Sequence, residues 1–225
     1  MVVGSGMIAK AFGKYKNYID IILFASGVSN SKETDKNQFG KELKLLQLYE
    51  KEFDKKLVYF STCSIFDKTL VNSEYVKHKI KTEEYIKNNF KNYLIFRLPN
   101  IIGETDNQNT SFNYFVNKIT KKGIIQIQKS AVRYIMDVDD LTNILPNIIE
   151  NDAQTNKIMN VCFNNKMSVL EFVKKIESVL NIEVDKTIVP GGCDYKIDNN
   201  EFLAIASRNE GEDYITETIK KYLKK

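Results

Sequence analysis

Histidine occurs once in this 225-residue chain, and cysteine and arginine three times each. Each scarcity removes a class of chemistry. A lone histidine, His78, cannot build the usual metal site, so no metal is expected. Cys63, Cys162 and Cys193 are odd in number and far apart, with neither a disulfide framework nor metal-ligand spacing. A reducing cytoplasm is the setting this implies. Few arginines argue against nucleic acid, whose bases and phosphates are read largely by arginine. The net charge of +4 comes from lysines interleaved with glutamates along helical stretches, as on a solvated surface. Such a modest positive field also suits an anionic small substrate. No apolar run approaches the roughly 18 residues of a membrane span, so no membrane partner is expected. The first residues, MVVGSGMIAKAF, show no basic segment followed by an apolar one, so no secretion signal is expected. Repeats, low-complexity tracts and Pro/Gly/Ser linkers are also missing.

What remains is 43% hydrophobic, enough for one sizeable core with a small appended lobe. Short apolar runs alternate with amphipathic stretches, the pattern of an α/β fold. Strands are expected at 1–3, 19–25, 56–61, 93–97, 124–127 and 158–162. Helices are expected at 7–14, 39–53, 74–89, 112–121, 139–150, 168–180 and 213–224. Leu43, Leu46 and Tyr49 share a face of the second helix, and Ser168 is a plausible N-cap. Regular alternation through residue 100 predicts a doubly wound parallel sheet.

Gly4-Ser5-Gly6-Met7-Ile8-Ala9 fits the G-x-G-x-x-G/A pattern between a strand and a helix. Gly4 permits the tight turn, Gly6 lets backbone approach a pyrophosphate, and Ala9 allows close helix packing. The acid that usually follows at the end of a second strand is not found. Asp20 has about the right spacing but opens a strand. Too few residues separate Gly6 from Phe24 for a helix, a strand and another helix. Part of the nucleotide-binding half is therefore missing.

Tyr75 and Lys79 form a Y-x-x-x-K pair. With 12 tyrosines in the chain, chance alone yields about one or two such pairs, and Tyr114–Lys118 is a second. Context separates them. Tyr75 follows Thr62, at the end of the apolar strand LVYFST, and ligands sit at the carboxyl ends of parallel strands. On one helix Tyr75 and Lys79 share a face. An ammonium there favours the phenolate, bringing the tyrosine toward acid/base range. Thr62 or Ser64 can then bond a substrate oxygen while Tyr75 supplies a proton.

The segments GSGMIA, FASGVSNS, YFSTCSIF, YVKHK, RLPNIIG and RYIMDVDDL, in that order, resemble the extended short-chain dehydrogenases/reductases, specifically the NAD-dependent epimerase/dehydratase group. The resemblance covers about residues 1–145. It implies a shortened Rossmann-type domain over 1–145 and a small C-terminal substrate lobe over 146–225. It implies an enzyme using NADPH or NADH, with NADP slightly favoured, to reduce a keto group on a nucleotide sugar such as a dTDP-4-keto-6-deoxy sugar. An epimerase and a non-catalytic nucleotide-binding protein are the alternatives, and a homodimer is a further implication. Carried over residue by residue, Thr62, Tyr75 and Lys79 are catalytic. Gly4, Ser5, Gly6, Met7, Ile8, Phe24, Ala25, Ser26, Gly27, Lys79 and Leu98 line the cofactor. Ser64, Asn100 and Arg133 contact the substrate, the arginine through a phosphate.

Other residues have plainer readings. His78 reads as an exposed helix position and Cys63 as a small strand-end residue. Asp137, Asp139 and Asp140 read as the cap and first turn of a helix. Asn107, Asn109 and Thr110 cap the next helix upstream or edge the sugar pocket.

Overall fold

Ile21–Phe24 and Lys56–Thr62 are buried along their whole length. Strands covered on both faces belong to a parallel sheet. The computed structural model, which describes residues 1–206, 211 and 213–223, places them in one. The chain runs β1 (Val2–Val3), α1 (Met7–Ala11), β2 (Ile21–Phe24), α2 (Lys36–Gln47), β3 (Lys56–Thr62), α3 (Glu74–Asn89) and β4 (Tyr93–Leu98). It continues through β5 (Asn100–Ile102), α4 (Ser111–Thr120), β6 (Ile125–Gln128), β7 (Val132–Arg133), β8 (Ile135–Asp137) and α5 (Val138–Ile149). Last come β9 (Lys157–Asn160), β10 (Met167–Ser168), α6 (Val169–Leu180), β11 (Lys186–Val189), α7 (Asn200–Ala206) and α8 (Tyr214–Leu223).

The central sheet has the order β1-β2-β3-β4-β9 and is parallel throughout. This is the shortened Rossmann-type α/β sheet. The order runs in one direction from β1, which is the edge, because the chain passes from α1 and a short 3-10 turn straight into β2. Helices cover both faces. On one face Phe12 and Tyr15 pack with Leu141, Ile144, Leu145 and Ile148 of α5 and Phe202 of α7. On the other, Leu46 of α2 and Ile86 of α3 cover Ile22, Phe24, Leu57 and Tyr59. Each such fully buried apolar side chain stabilises the fold by roughly 1.5–3 kcal/mol.

A second core belongs to the C-terminal half. It joins Phe112, Phe115 and Ile119 of α4, Ile125 and Ile127 of β6, Phe172, Val173 and Ile176 of α6, and Ile215 and Ile219 of α8. Its strands form two-stranded pieces, β5-β8, β7-β10 and β6-β11. Since β9 adds to the central sheet, the other edge of that sheet lies downstream of residue 145.

Elements with strong local signals form where expected, and α3 spans 74–89. The second expected helix forms earlier, at Lys36–Gln47, because Asp35 caps it by accepting from Asn37 N at 2.9 Å. The strand expected at 19–25 shortens to Ile21–Phe24, and Ile19 is 84% exposed. Strands β5, β7, β8, β10 and β11 and helix α7 have no counterpart in the sequence reading. Two to four residues carry too little period to show. Residue 224 of the last expected helix lies outside the described residues. Among the described residues, no helix is long and apolar enough to cross a membrane.

Candidate active site

Thr62 closes β3 and begins a 3-10 turn, Cys63–Phe66, by accepting from Ser64 N at 3.1 Å. Directly beneath it, Ser61 Oγ donates to Glu83 Oε1 at 2.5 Å. Arg97 of β4 grips the same carboxylate, through Nε at 3.0 Å and Nη2 at 2.5 Å. Cys63 Sγ donates to the Arg97 carbonyl at 3.2 Å. Cys63 is therefore a buried strand-end residue, and burial pushes its thiol up. The end of β3 is held from two sides, so the Thr62 hydroxyl has a fixed position.

Eleven residues after Thr62, Ser73 accepts from Val76 N at 3.2 Å and caps α3. The buried side of α3 carries Tyr75, Val76, Lys79, Thr82, Glu83 and Ile86, the three-and-four spacing of one helix face. Tyr75 thus enters the site in the first turn, buried to 8% exposure. No described residue hydrogen-bonds its hydroxyl.

Lys79 shares this face, but its partners are not those expected. Its ammonium donates to Glu42 Oε1 at 3.0 Å and to Tyr59 Oη at 2.9 Å. Tyr59 in turn donates to Glu42 Oε1 at 2.6 Å. The other carboxylate oxygen accepts from Val28 N at 2.8 Å and lies 2.9 Å from His78 Nε2. Burial opposes ionisation of Glu42, yet the Lys79 charge and the bonds from His78, Tyr59 and Val28 overcome it. The carboxyl is held down at about 2. Burial, and then the Glu42 charge, push the Tyr59 phenol well up, so it stays a donor. His78, read from sequence as exposed, is packed against Phe39 with ring centroids 4.6 Å apart.

Glu42 was missed by the sequence reading. A signal was present, since Phe39, Glu42 and Leu46 are spaced three and four apart and are the buried residues of α2. A charged residue on an apolar stripe asks for a partner.

The glycine turn leaves β1 beside the end of β2. Gly4 has φ +123°, and a Cβ there would lie 2.5 Å from the Ala25 carbonyl oxygen, so only glycine fits. Gly6 precedes α1, and no atom lies within 4 Å of where its Cβ would be. Ser5 is exposed, and Met7 and Ile8 are half-buried. Ala25 and Ser26 are half-buried and Gly27 is exposed. A Cβ on Gly27 would come within 2.6 Å of Lys79 Nζ and 3.0 Å of Glu42 Oε1. Phe24 and Leu98 differ from the rest of the expected cofactor set. Their side chains are 1% and 7% exposed and belong to the two cores, so only their backbone can meet a ligand.

Asn100 follows the end of β4 by two residues and opens β5, where it pairs with Ile135 of β8. Its backbone N–H donates to the Tyr134 carbonyl at 3.0 Å. The neighbouring Arg133 is half-buried, and its Nη1 donates to the Val132 carbonyl at 2.7 Å, leaving most of its donors uncommitted in the contacts described. Ser64 is half-buried. The second Y-x-x-x-K tyrosine, Tyr114, is 38% exposed on α4.

The remaining polar residues act as caps. Asp137 caps α5 by accepting from Asp139 N at 2.9 Å, with Asp139 and Asp140 in the first turn. Lys221 of α8 pairs with Asp137 at 2.7 Å and Asp139 at 2.6 Å. Thr110 caps α4, and Asn107 Nδ2 donates to Ser29 Oγ at 3.0 Å.

Among curated proteins, none matches this sequence. Solved structures are similar in fold. UDP-glucose 4-epimerase from Bifidobacterium longum in complex with NAD+ and UDP superposes with a TM-score of 0.74 at 15% identity, over 98% of this chain and 82% of that one. The dTDP-glucose 4,6-dehydratase from Bacillus anthracis in complex with NAD gives 0.72 at 17% identity, over 98% and 79%. RMD from Pseudomonas aeruginosa complexed with NADPH gives 0.72 at 14% identity, over 93% and 82%. The model of the NAD-dependent epimerase/dehydratase family matches residues 10–162, about two thirds of the sequence. The chain belongs to the NAD-dependent epimerase/dehydratase family of short-chain dehydrogenase/reductase enzymes.

Proposed function

We propose that this protein transfers hydride between a nicotinamide dinucleotide and a keto group on a nucleotide sugar, in the reducing direction. One observation carries the reading. Thr62 at the end of β3 and Tyr75 and Lys79 in the first two turns of α3 are all buried, and Gly27 lies directly beside the Lys79 ammonium.

The residues present fit a nicotinamide dinucleotide over its diphosphate and nicotinamide ribose. Gly4 holds the turn against β2, Gly6 offers unshielded backbone at a helix start, and Gly27 puts no side chain against the buried ammonium. Ser5, Met7, Ile8, Ala25 and Ser26 complete that lining. The bound dinucleotide supplies the hydride. Thr62, with Ser64 beside it, donates a hydrogen bond to the substrate oxygen. Tyr75 Oη holds the proton that this oxygen takes up as its carbonyl is reduced, and Lys79 stabilises the phenolate left behind. Asn100 and Arg133 face the substrate side, where a guanidinium fork suits the diphosphate.

A second reading is favoured by a specific observation: the structural neighbours include 4-epimerases, such as the Bifidobacterium longum enzyme. There the hydride returns to the same substrate. Two incubations separate them: a dTDP-4-keto-6-deoxy sugar with NADPH or NADH, and UDP-glucose with NAD+. Stoichiometric loss of absorbance from the reduced cofactor supports the reductase. Conversion of UDP-glucose to its 4-epimer with no net reduction of NAD+, and no reduction of the keto sugar, replaces it with the epimerase, and no turnover in either incubation removes both.

A further inference from the structure

The Lys79 ammonium has three N–H donors and no acceptor. Two are committed inside the chain, to Glu42 and to Tyr59. No described residue takes the third, and at Gly27 a Cβ would sit 2.6 Å from the nitrogen. The same carboxylate that holds Lys79 also accepts from the backbone of Val28, the residue after that glycine. Glu42 lies on α2, Lys79 and His78 on α3, Tyr59 on β3 and Val28 in the turn after β2. One carboxylate with a 1% exposed side chain thus joins four segments around the ammonium. A buried ion pair is a weak source of stability against an apolar replacement, so stability alone does not account for this arrangement.

We infer that Glu42 is a positioning residue for the dinucleotide. It fixes Lys79 with a single donor presented at Gly27, and it ties the Gly27–Val28 turn to α3. The inference rests on the nicotinamide-dependent reading above. Its consequence is specific: loss of Glu42 weakens the dinucleotide and spares the nucleotide of the substrate, which is held near Asn100 and Arg133. General loosening of the fold would weaken both.

The test is a binding titration. NADH is followed by its own fluorescence, and UDP or dTDP by calorimetry, on wild type, Glu42→Gln and Glu42→Asp. For Glu42→Gln the NADH Kd is expected to rise about tenfold or more, the size of one charge-assisted hydrogen bond. The nucleotide Kd is expected to stay within about twofold. Glu42→Asp keeps the charge but draws the carboxylate back, and its NADH affinity is expected to fall between the two. An unchanged NADH Kd in Glu42→Gln, or equal weakening of both ligands, overturns the assignment. If circular dichroism shows Glu42→Gln unfolded, Glu42→Asp decides, and wild-type NADH affinity in that variant overturns it. A wild type that binds neither NADH nor NADPH fails before any substitution. That outcome removes the underlying reading and the inference together.

Discussion

Tyr75 is the residue whose chemistry can be removed with the least structural cost. No described residue bonds its hydroxyl, so Tyr75→Phe orphans no partner. Turnover is expected to fall about 10²–10⁴-fold, the usual worth of a positioned acid, while the thermal midpoint stays within about a degree or two. Steady-state rates with a melting curve check both, and near-full activity would take Tyr75 out of the proton-donor role. Arg133 separates the two ligands. Arg133→Ala is expected to weaken the nucleotide sugar roughly 10- to 100-fold through lost charge-assisted bonds. The dinucleotide is expected to change little. Binding titrations of both ligands read this directly, and the reverse order would move Arg133 out of the substrate pocket.

Among the elements, β3 and α3 build the site, and Glu83 is the bolt between them. It sits one turn beyond Lys79 on the buried side of α3 and takes Ser61 from β3 and Arg97 from β4. Breaking a largely buried pair leaves a charge without compensation. Glu83→Ala is therefore expected to cost about 3 kcal/mol, lowering the thermal midpoint by roughly 6–12 °C for a chain of this size. Differential scanning calorimetry measures it. A drop of under a couple of degrees would mean that Arg97 finds another partner and that Glu83 does not fix the end of β3. The sequence showed α3 accurately because its apolar period and its Ser73 cap act within a few residues. It did not show β5, β7 or β8, which exist only because each finds a partner far along the chain.

For the molecule, the buried Glu42 cluster links pH to folding. The carboxyl titrates near 4.5 when unfolded and is held at about 2 when folded. A depressed carboxyl pKa stabilises the fold above the unfolded value, and that contribution fades as pH falls from about 4.5 toward 2. It amounts to about 3 kcal/mol, since each pKa unit is worth about 1.4 kcal/mol. Urea unfolding of wild type and Glu42→Gln at pH 7 and pH 3 should show a stability gap that narrows on acidification. A gap that is constant with pH would show that the carboxylate charge is not what the cluster stabilises. The shortened sheet is also a property of the molecule. With β1 at the edge, no described strand lies beyond it.

Local pattern was enough for the α/β alternation, the glycine turn at Gly4–Gly6 and the placing of Thr62, Tyr75 and Lys79 at a strand end and a helix start. Periodicity, turns and caps are short-range effects, and each leaves its mark within about one helical turn of sequence. The partners of Lys79 were beyond its reach. Glu42 is 37 residues away and Tyr59 is 20, and their meeting depends on how α2 and α3 pack on one face of the sheet. Packing likewise made His78 a half-buried partner of Glu42, and turned Phe24 and Leu98 into core side chains. A polar residue's partner is chosen by folding in three dimensions, because burial makes it bond to whatever donor or acceptor arrives beside it.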